Sequence, residues 1–217
     1  MTRTVWLFDL DNTLHDASPH IFPHINRSMT AYLERHLALD TAAANALRVE
    51  YWHRYGATLL GLMRHHGTDP HHFLAETHRF DRLSELMVFP KALRGMLHSL
   101  PGPKIVFSNG PKAYARSVVD LMGLKNAFQD VFGIEDMGFQ PKPNLKAFQR
   151  LLHTHRLQAH HCMLVEDSLE NLRAAKRLGI GTVWVTRSLK DPACVDHKIP
   201  HILALRRIGV PARRAAR

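Results

Sequence analysis

Val5-Trp6-Leu7-Phe8-Asp9-Leu10-Asp11-Asn12-Thr13-Leu14 is the stretch whose reading decides the fold. Its first four residues form a short continuous apolar run, which suits a strand buried on both faces of a parallel sheet. Asn12 is turn-prone, so the chain is expected to leave the sheet directly after Asp11. In open α/β sheets, ligands bind just outside the carboxyl ends of the strands. A carboxylate pair at that edge can collect a hard divalent cation, or divide into a nucleophile and an acid/base. A solvated Asp-Asn turn is the plain alternative, and the other strand ends bear on the choice.

Working outward, residues 17–89 read as helices. Ile21, Ile25, Met29, Tyr32, Leu33 and Leu37 keep one helical stripe, and Ala44, Leu47, Tyr51, Tyr55, Thr58, Leu59, Leu62 and Met63 keep a second. Asp69-Pro70 restarts the chain into a shorter helix, and Leu83, Leu86 and Met87 suggest another. The next strand-like run, Ile105-Val106-Phe107, lies far beyond the span of a crossover helix. A helical insertion over 17–89 accounts for that distance. A helix carrying Leu93, Leu97 and Leu100 then packs on the sheet.

From there strands and helices alternate. The expected strands are 104–107, 131–134, 162–165 and 182–185, with Ile202-Leu203-Ala204-Leu205 as a short edge element. Pro111 opens and Gly123 closes one intervening helix; the others carry Leu145, Phe148, Leu151 and Leu152, and Leu169, Leu172 and Leu178. This alternation predicts an α/β fold: a doubly wound parallel-sheet core from 1–16 and 90–207, with an inserted helical bundle and a basic, frayed tail at 208–217.

Composition bounds the partners. The chain has 217 residues, 45% of them hydrophobic, enough for a core and no sign of a disordered protein. No apolar run reaches the length of about 18 residues that a membrane span needs. Met1-Thr2-Arg3 runs straight into the first strand, which reads as no signal peptide and a cytoplasmic location. Cys162 and Cys194 make no disulfide framework. The net charge of +10 invites a nucleic-acid reading. No aromatic-interleaved basic strip or recognition-helix pattern supports it, so no specific nucleic-acid partner is expected. A basic surface also gathers phosphorylated substrates. The 17 histidines form no His-Glu-x-x-His zinc signature and read as solvated surface.

Each strand end carries a different chemical tool: Asp9 and Asp11, then Ser108-Asn109, then Lys142 in a Pro-flanked turn, then Glu166-Asp167. This series resembles the four motifs of the haloacid dehalogenase (HAD) superfamily. The insertion falls where one large subgroup of that superfamily carries its cap. A narrower similarity, to pyrimidine 5′-nucleotidases, lies in Tyr55-Gly56-Ala57-Thr58-Leu59-Leu60-Gly61-Leu62 with Asp69-Pro70, in Phe107-Ser108-Asn109-Gly110, and in Asn171-Leu172…Ala175-Lys176…Leu178-Gly179. Tyr114 departs from it, since many relatives of that type carry His there.

The resemblance implies a Mg²⁺-dependent phosphomonoester hydrolase. Asp9 would be the nucleophile, forming an aspartyl phosphate, and Asp11 the acid for the leaving oxygen and then the base for water. Asp9, Asp167 and the Asp11 carbonyl would hold Mg²⁺, with Glu166 on a metal-bound water. Ser108, the Asn109 amide and Lys142 would hold the phosphate oxygens. Thr13 would fix the first loop by hydrogen bonding. Dehalogenases of the superfamily lack a second Asp at the Asp11 position and P-type ATPases carry Thr there, which leaves a phosphatase or phosphomutase. The expected substrate is a small phosphorylated metabolite, UMP or CMP foremost, with a sugar phosphate as the alternative. Tyr55 and Thr58, on one expected helical face, are the candidate specificity residues.

Overall fold

A computed structural model describes residues 4–208. Six strands form one all-parallel sheet: β1 (Val5–Phe8), β2 (Lys104–Phe107), β3 (Asp130–Phe132), β4 (Cys162–Glu166), β5 (Gly181–Val185) and β6 (His197–Ile199). Their spatial order is β3-β2-β1-β4-β5-β6. The order reverses between β1 and β4, the place where doubly wound sheets open a crevice.

Successive strand residues point to opposite faces, and both faces are covered. Trp6, Phe8, Val106, Met163, Val165 and Val183 pack on one side with α5 (Leu93–Ser99) and α6 (Lys112–Leu121). Val5, Leu7, Ile105, Phe107, Leu164 and Trp184 pack on the other with α7 (Leu145–Thr154) and α8 (Leu169–Arg177). The apolar run in β1 is therefore buried along its whole length, as its composition predicts.

Between β1 and α5 lie α1 (Ile21–Leu37), α2 (Thr41–Tyr55), α3 (Thr58–His66) and α4 (Pro70–Thr77). They gather an apolar cluster of their own around Tyr32, Leu33, Tyr51, Leu59, Leu62 and Phe73, joined by Ile134 from beyond β3. Asp40 caps α2 by accepting from Ala43 N at 2.8 Å. Asp69 accepts from His71 N at 3.1 Å with Pro70 in the first turn of α4, so the chain restarts where Asp69-Pro70 predicts.

Three sequence expectations are corrected. The stripe from Ala44 to Met63 is two helices, because Gly56 at φ +80° turns left-handed and ends α2. The apolar spacing survives the break because α3 folds back on α2, where a Cβ on Gly61 would lie 2.3 Å from the Tyr51 ring. Residues 83–86 form a single 3₁₀ turn, with no further α-helix. Ile202–Arg207 is also a 3₁₀ segment, and the sheet's last strand is β6 just before it. β6 has three residues with a single buried side chain, too short to show a period in sequence. The basic tail lies, from residue 209 on, outside the described residues.

Gly61→Ala should wedge α2 and α3 apart, since the Tyr51 ring occupies the space of the added methyl. We expect a loss of about 1–3 kcal/mol, read as a lower midpoint in thermal unfolding; an unchanged midpoint would show that the two helices separate freely.

Candidate active site

The strand register builds the site. Phe8 stands opposite Val106 and Val165, and Phe107 opposite Phe132. Asp9, Ser108 and Asp167, which follow β1, β2 and β4, consequently emerge on one edge of the sheet. Asn12, at φ +64°, then turns the chain away, its Oδ1 accepting from Ala17 N at 3.0 Å.

Lys142 is the centre of this edge. Its ammonium donates to Asp9 Oδ1 at 2.8 Å, Glu166 Oε2 at 2.9 Å and the Phe107 carbonyl at 2.7 Å, which uses all three of its protons. The residue is 3% exposed. Asn109 fixes its backbone: Lys142 N donates to Asn109 Oδ1 at 2.8 Å, and Asn109 Nδ2 donates to Lys142 O at 2.9 Å. Glu166 Oε2 also accepts from Asn171 Nδ2 at 3.0 Å, and its Oε1 accepts from Ser168 N at 3.1 Å. Trp184 Nε1 donates to the Asp167 carbonyl at 2.8 Å.

Oxygens of Asp9, Glu166 and Asp167 lie within 4.8 Å of one another. Burial, then the charge of Glu166, pushes the Asp9 carboxyl up to about 7 against the pull of Lys142. Burial raises Glu166 and Asp167 as well. Burial alone would pull the Lys142 ammonium down, but Asp9 and Glu166 together outweigh it and hold the group charged. Three carboxylates and one ammonium leave an excess of negative charge, and the donors are hard oxygens. That set fits a divalent cation of the Mg²⁺ type.

Asp11 stands apart from this group. Its Oδ1 accepts from Tyr114 OH at 2.6 Å and lies 2.9 Å from His15 Nε2. The Asp11 side chain, expected as acid and base rather than as a metal ligand, is thereby drawn toward α6 and does not belong to the three-carboxylate cluster. Among the described residues His15 Nδ1 is buried without a hydrogen-bond partner, and Nε2 is the ring nitrogen placed to donate to Asp11. Ser108 is buried, and its Oγ accepts from Gly110 N at 3.0 Å. Thr13 Oγ1 is buried and meets no partner, so the expected side-chain hydrogen bond in the first loop is not formed. Only its backbone N–H contributes, donating to Leu10 O at 3.3 Å.

The two candidate specificity residues are not brought to this group by any recorded contact. Tyr55 OH pairs with His65 Nε2 at 2.5 Å, and the guanidinium groups of Arg54 and Arg64 lie 5.5 and 5.8 Å from its ring centre. Thr58 is buried and donates to Arg48 O at 3.0 Å, inside the helical insertion. They also sit on different helices. Sequence reading overlooked His15 and the hold of Tyr114 on Asp11. His15 lies four residues past Asp11, a spacing that could have singled it out among the many histidines; the Tyr114 contact spans 103 residues and leaves no local signal.

A parallel doubly wound sheet with carboxylates, a buried lysine and a Ser-Asn pair on its carboxyl edge defines a hydrolase core of the HAD type. Residues 4–179 match the family model described as a haloacid dehalogenase-like hydrolase, and the chain belongs to that family. It is 30% identical over 195 residues to phosphoglycolate phosphatase of Rhodospirillum rubrum, covering 82% of this chain and 77% of that protein. It is 29% identical to a 5′-nucleotidase of Pseudomonas aeruginosa, covering 82% and 80%. Phosphate metabolism protein 8 of Saccharomyces cerevisiae is 26% identical over 83% of this chain, which spans only 61% of that protein's length. Among solved structures, the HAD phosphatase of Thermococcus onnurineus superposes with a TM-score of 0.66 at 23% identity, covering 94% of this chain and 97% of that one. The family is one of hydrolases, and two relatives that match over about four fifths of the chain are named a phosphoglycolate phosphatase and a 5′-nucleotidase. No helix among the described residues is long and apolar enough to cross a membrane.

Lys142→Met should strip the cation from two buried carboxylates. Removing one partner of such a group costs about 3 kcal/mol or more, which for a chain of this size lowers the unfolding midpoint by roughly 6–12 °C. Thermal unfolding without added metal checks this; an unchanged midpoint would mean that the carboxylates neutralise themselves without help from Lys142.

Proposed function

We propose that the chain is a Mg²⁺-dependent phosphomonoesterase that works through an aspartyl phosphate on Asp9. One observation carries the reading: Asp9 and Asp11, two residues apart, are held by entirely different partners. Asp9 sits in the buried carboxylate group on Lys142, and Asp11 sits outside it on Tyr114 and His15. Nucleophile and proton donor need that separation of environment.

The Asp9 carboxylate attacks phosphorus as the bond to the leaving alkoxide breaks, and Asp11 gives that alkoxide a proton. Asp11 then takes a proton from the water that attacks the acyl phosphate, which releases inorganic phosphate and restores Asp9. Ser108, the Asn109 amide and Lys142 hold the phosphate oxygens. Since Lys142 already uses its three protons, it gives up one protein contact when it takes a phosphate oxygen, and its fixed charge stabilises the equatorial oxygens. Asp9, Asp167 and the Asp11 carbonyl would hold Mg²⁺, with Glu166 beside it, and the ion would neutralise charge on the transferring group. Thr13 supports the loop between the two aspartates through its backbone.

The proposed substrate is a nucleoside 5′-monophosphate, UMP and CMP first. Support comes from the segment around Tyr55 and Gly56 and from the 5′-nucleotidase relative. The helical insertion over 17–89 would act as the cap that meets the nucleoside, with Tyr55 its candidate contact; Thr58 has a buried hydroxyl already engaged on Arg48 and would serve packing. A second reading, phosphoglycolate, draws on the equally similar R. rubrum relative.

Asp9→Asn should reduce phosphate release to background while leaving the unfolding midpoint close to that of the parent, and EDTA should abolish parental activity until Mg²⁺ is returned. A residual rate within about tenfold of the parent would remove Asp9 from the nucleophilic role. Steady-state kinetics on UMP, CMP and phosphoglycolate decide the substrate. We expect kcat/KM at least about tenfold higher for one of the nucleotides, and a preference for phosphoglycolate would replace the nucleotide reading with the second.

A further inference from the structure

The hold on Asp11 distinguishes its two oxygens. Tyr114 OH and His15 Nε2 both converge on Oδ1, at 2.6 and 2.9 Å. Among the described residues no donor is recorded on Oδ2. A carboxyl oxygen has two acceptor positions, so two incoming donors leave Oδ1 no room for a proton of its own. A proton carried by Asp11 must then sit on Oδ2.

We infer that Tyr114, assisted by His15, is a positioning residue that fixes Asp11 so that Oδ2 alone exchanges the proton with the leaving group and then with water. The inference rests on the phosphomonoesterase reading and goes further by assigning the oxygen and the residue that selects it. In the first step the Oδ2–H bond breaks, the proton joins the alkoxide oxygen as the P–O bond opens, and the electron pair stays on Asp11. In the second, Oδ2 takes a proton from the attacking water. Tyr114 keeps its hydrogen bond to Oδ1 through both steps and transfers nothing.

The tyrosine is built for a fixed position. It is 4% exposed, in the first turn of α6, with its ring stacked on Phe80 at 5.6 Å and 27°. The His78 ring lies 5.7 Å away on another side. Gly110 approaches so closely that a Cβ there would stand 3.1 Å from the Tyr114 ring. The phenol oxygen therefore has little freedom to follow Asp11, and Asp11 is held to it.

The test compares two leaving groups in Tyr114→Phe, which keeps the ring and removes the donor. The probes are p-nitrophenyl phosphate, whose leaving group needs little proton assistance, and the faster of UMP and phosphoglycolate, whose alkoxide needs much. We expect kcat/KM for the alkyl ester to fall about 10–100-fold through kcat, with KM little changed, while p-nitrophenyl phosphate loses no more than about threefold. Phe80→Leu loosens the ring stack without removing the donor and should give the same unequal loss to a smaller degree. Equal losses on both esters in Tyr114→Phe, or no loss on either, would overturn the inference and leave the phosphatase reading intact. A parent chain that releases phosphate from none of the esters overturns the phosphatase reading, and the inference with it. Should Tyr114→Phe not fold, His15→Ala removes the second donor from the same oxygen, and the same unequal loss is required of it.

Discussion

One buried ammonium organises the carboxyl edge of this sheet. Asp9 and Glu166 are both almost fully enclosed, and ionised carboxylates in such surroundings carry a desolvation penalty of several kcal/mol each unless a cation accompanies them. Lys142 supplies that cation from the turn between β3 and α7. It meets one carboxylate from the end of β1, another from the end of β4, and the last carbonyl of β2. Three strands that are neighbours in the sheet are thereby tied at their ends by a single side chain. The tie is itself fixed from outside: Asn109 holds the Lys142 backbone in both directions, and Asn171 from α8 holds Glu166. Every one of these partners follows from strand order, because only the sequence β2-β1-β4 brings the three ends side by side.

The same constraint separates the two aspartates of the first loop. Lys142 is saturated by Asp9, Glu166 and Phe107, so Asp11 meets Tyr114 and His15 on the other side instead. An aspartate bonded to Tyr114 and an aspartate bonded to a buried lysine have different chemistry although they are two residues apart. That difference is set by which partner each can reach, and Asn12 in the left-handed region turns the chain away only after both aspartates are placed.

What was legible in the sequence was local. Apolar runs gave the first five strands, since both faces of the sheet are covered and whole segments become hydrophobic. Functional side chains placed at the ends of those strands could be read off as a set. Short or compensated features were not legible. β6 is three residues long, held beside β5 where Thr182 and Asp196 bond each other, and it has no period to detect. The α2–α3 break keeps an unbroken apolar spacing because Gly61 lets the second helix nest under Tyr51, so periodicity runs across Gly56 as if the helix continued. Within the site, Lys142 and the carboxylates were recognisable by type, but the separate surroundings of Asp11 depend on Tyr114, which no spacing rule connects to it.

The helical insertion touches both halves of this arrangement. Its apolar cluster takes in Ile134 and packs on Phe139, both in the stretch that leads from β3 to Lys142. At its other end, the stretch after α4 presents His78 and Phe80 to the ring of Tyr114, with His24 of α1 stacked on Phe80 at 4.4 Å. Packed side chains have discrete arrangements and transmit displacement, because close-packed interiors leave no slack to absorb it. The insertion is therefore packed against both supports of the edge: the stretch that leads to Lys142, which bonds Asp9, and the ring of Tyr114, which bonds Asp11. Asp9 and Asp11 lie two residues apart with different partners, yet the supports of both rest against one neighbouring body.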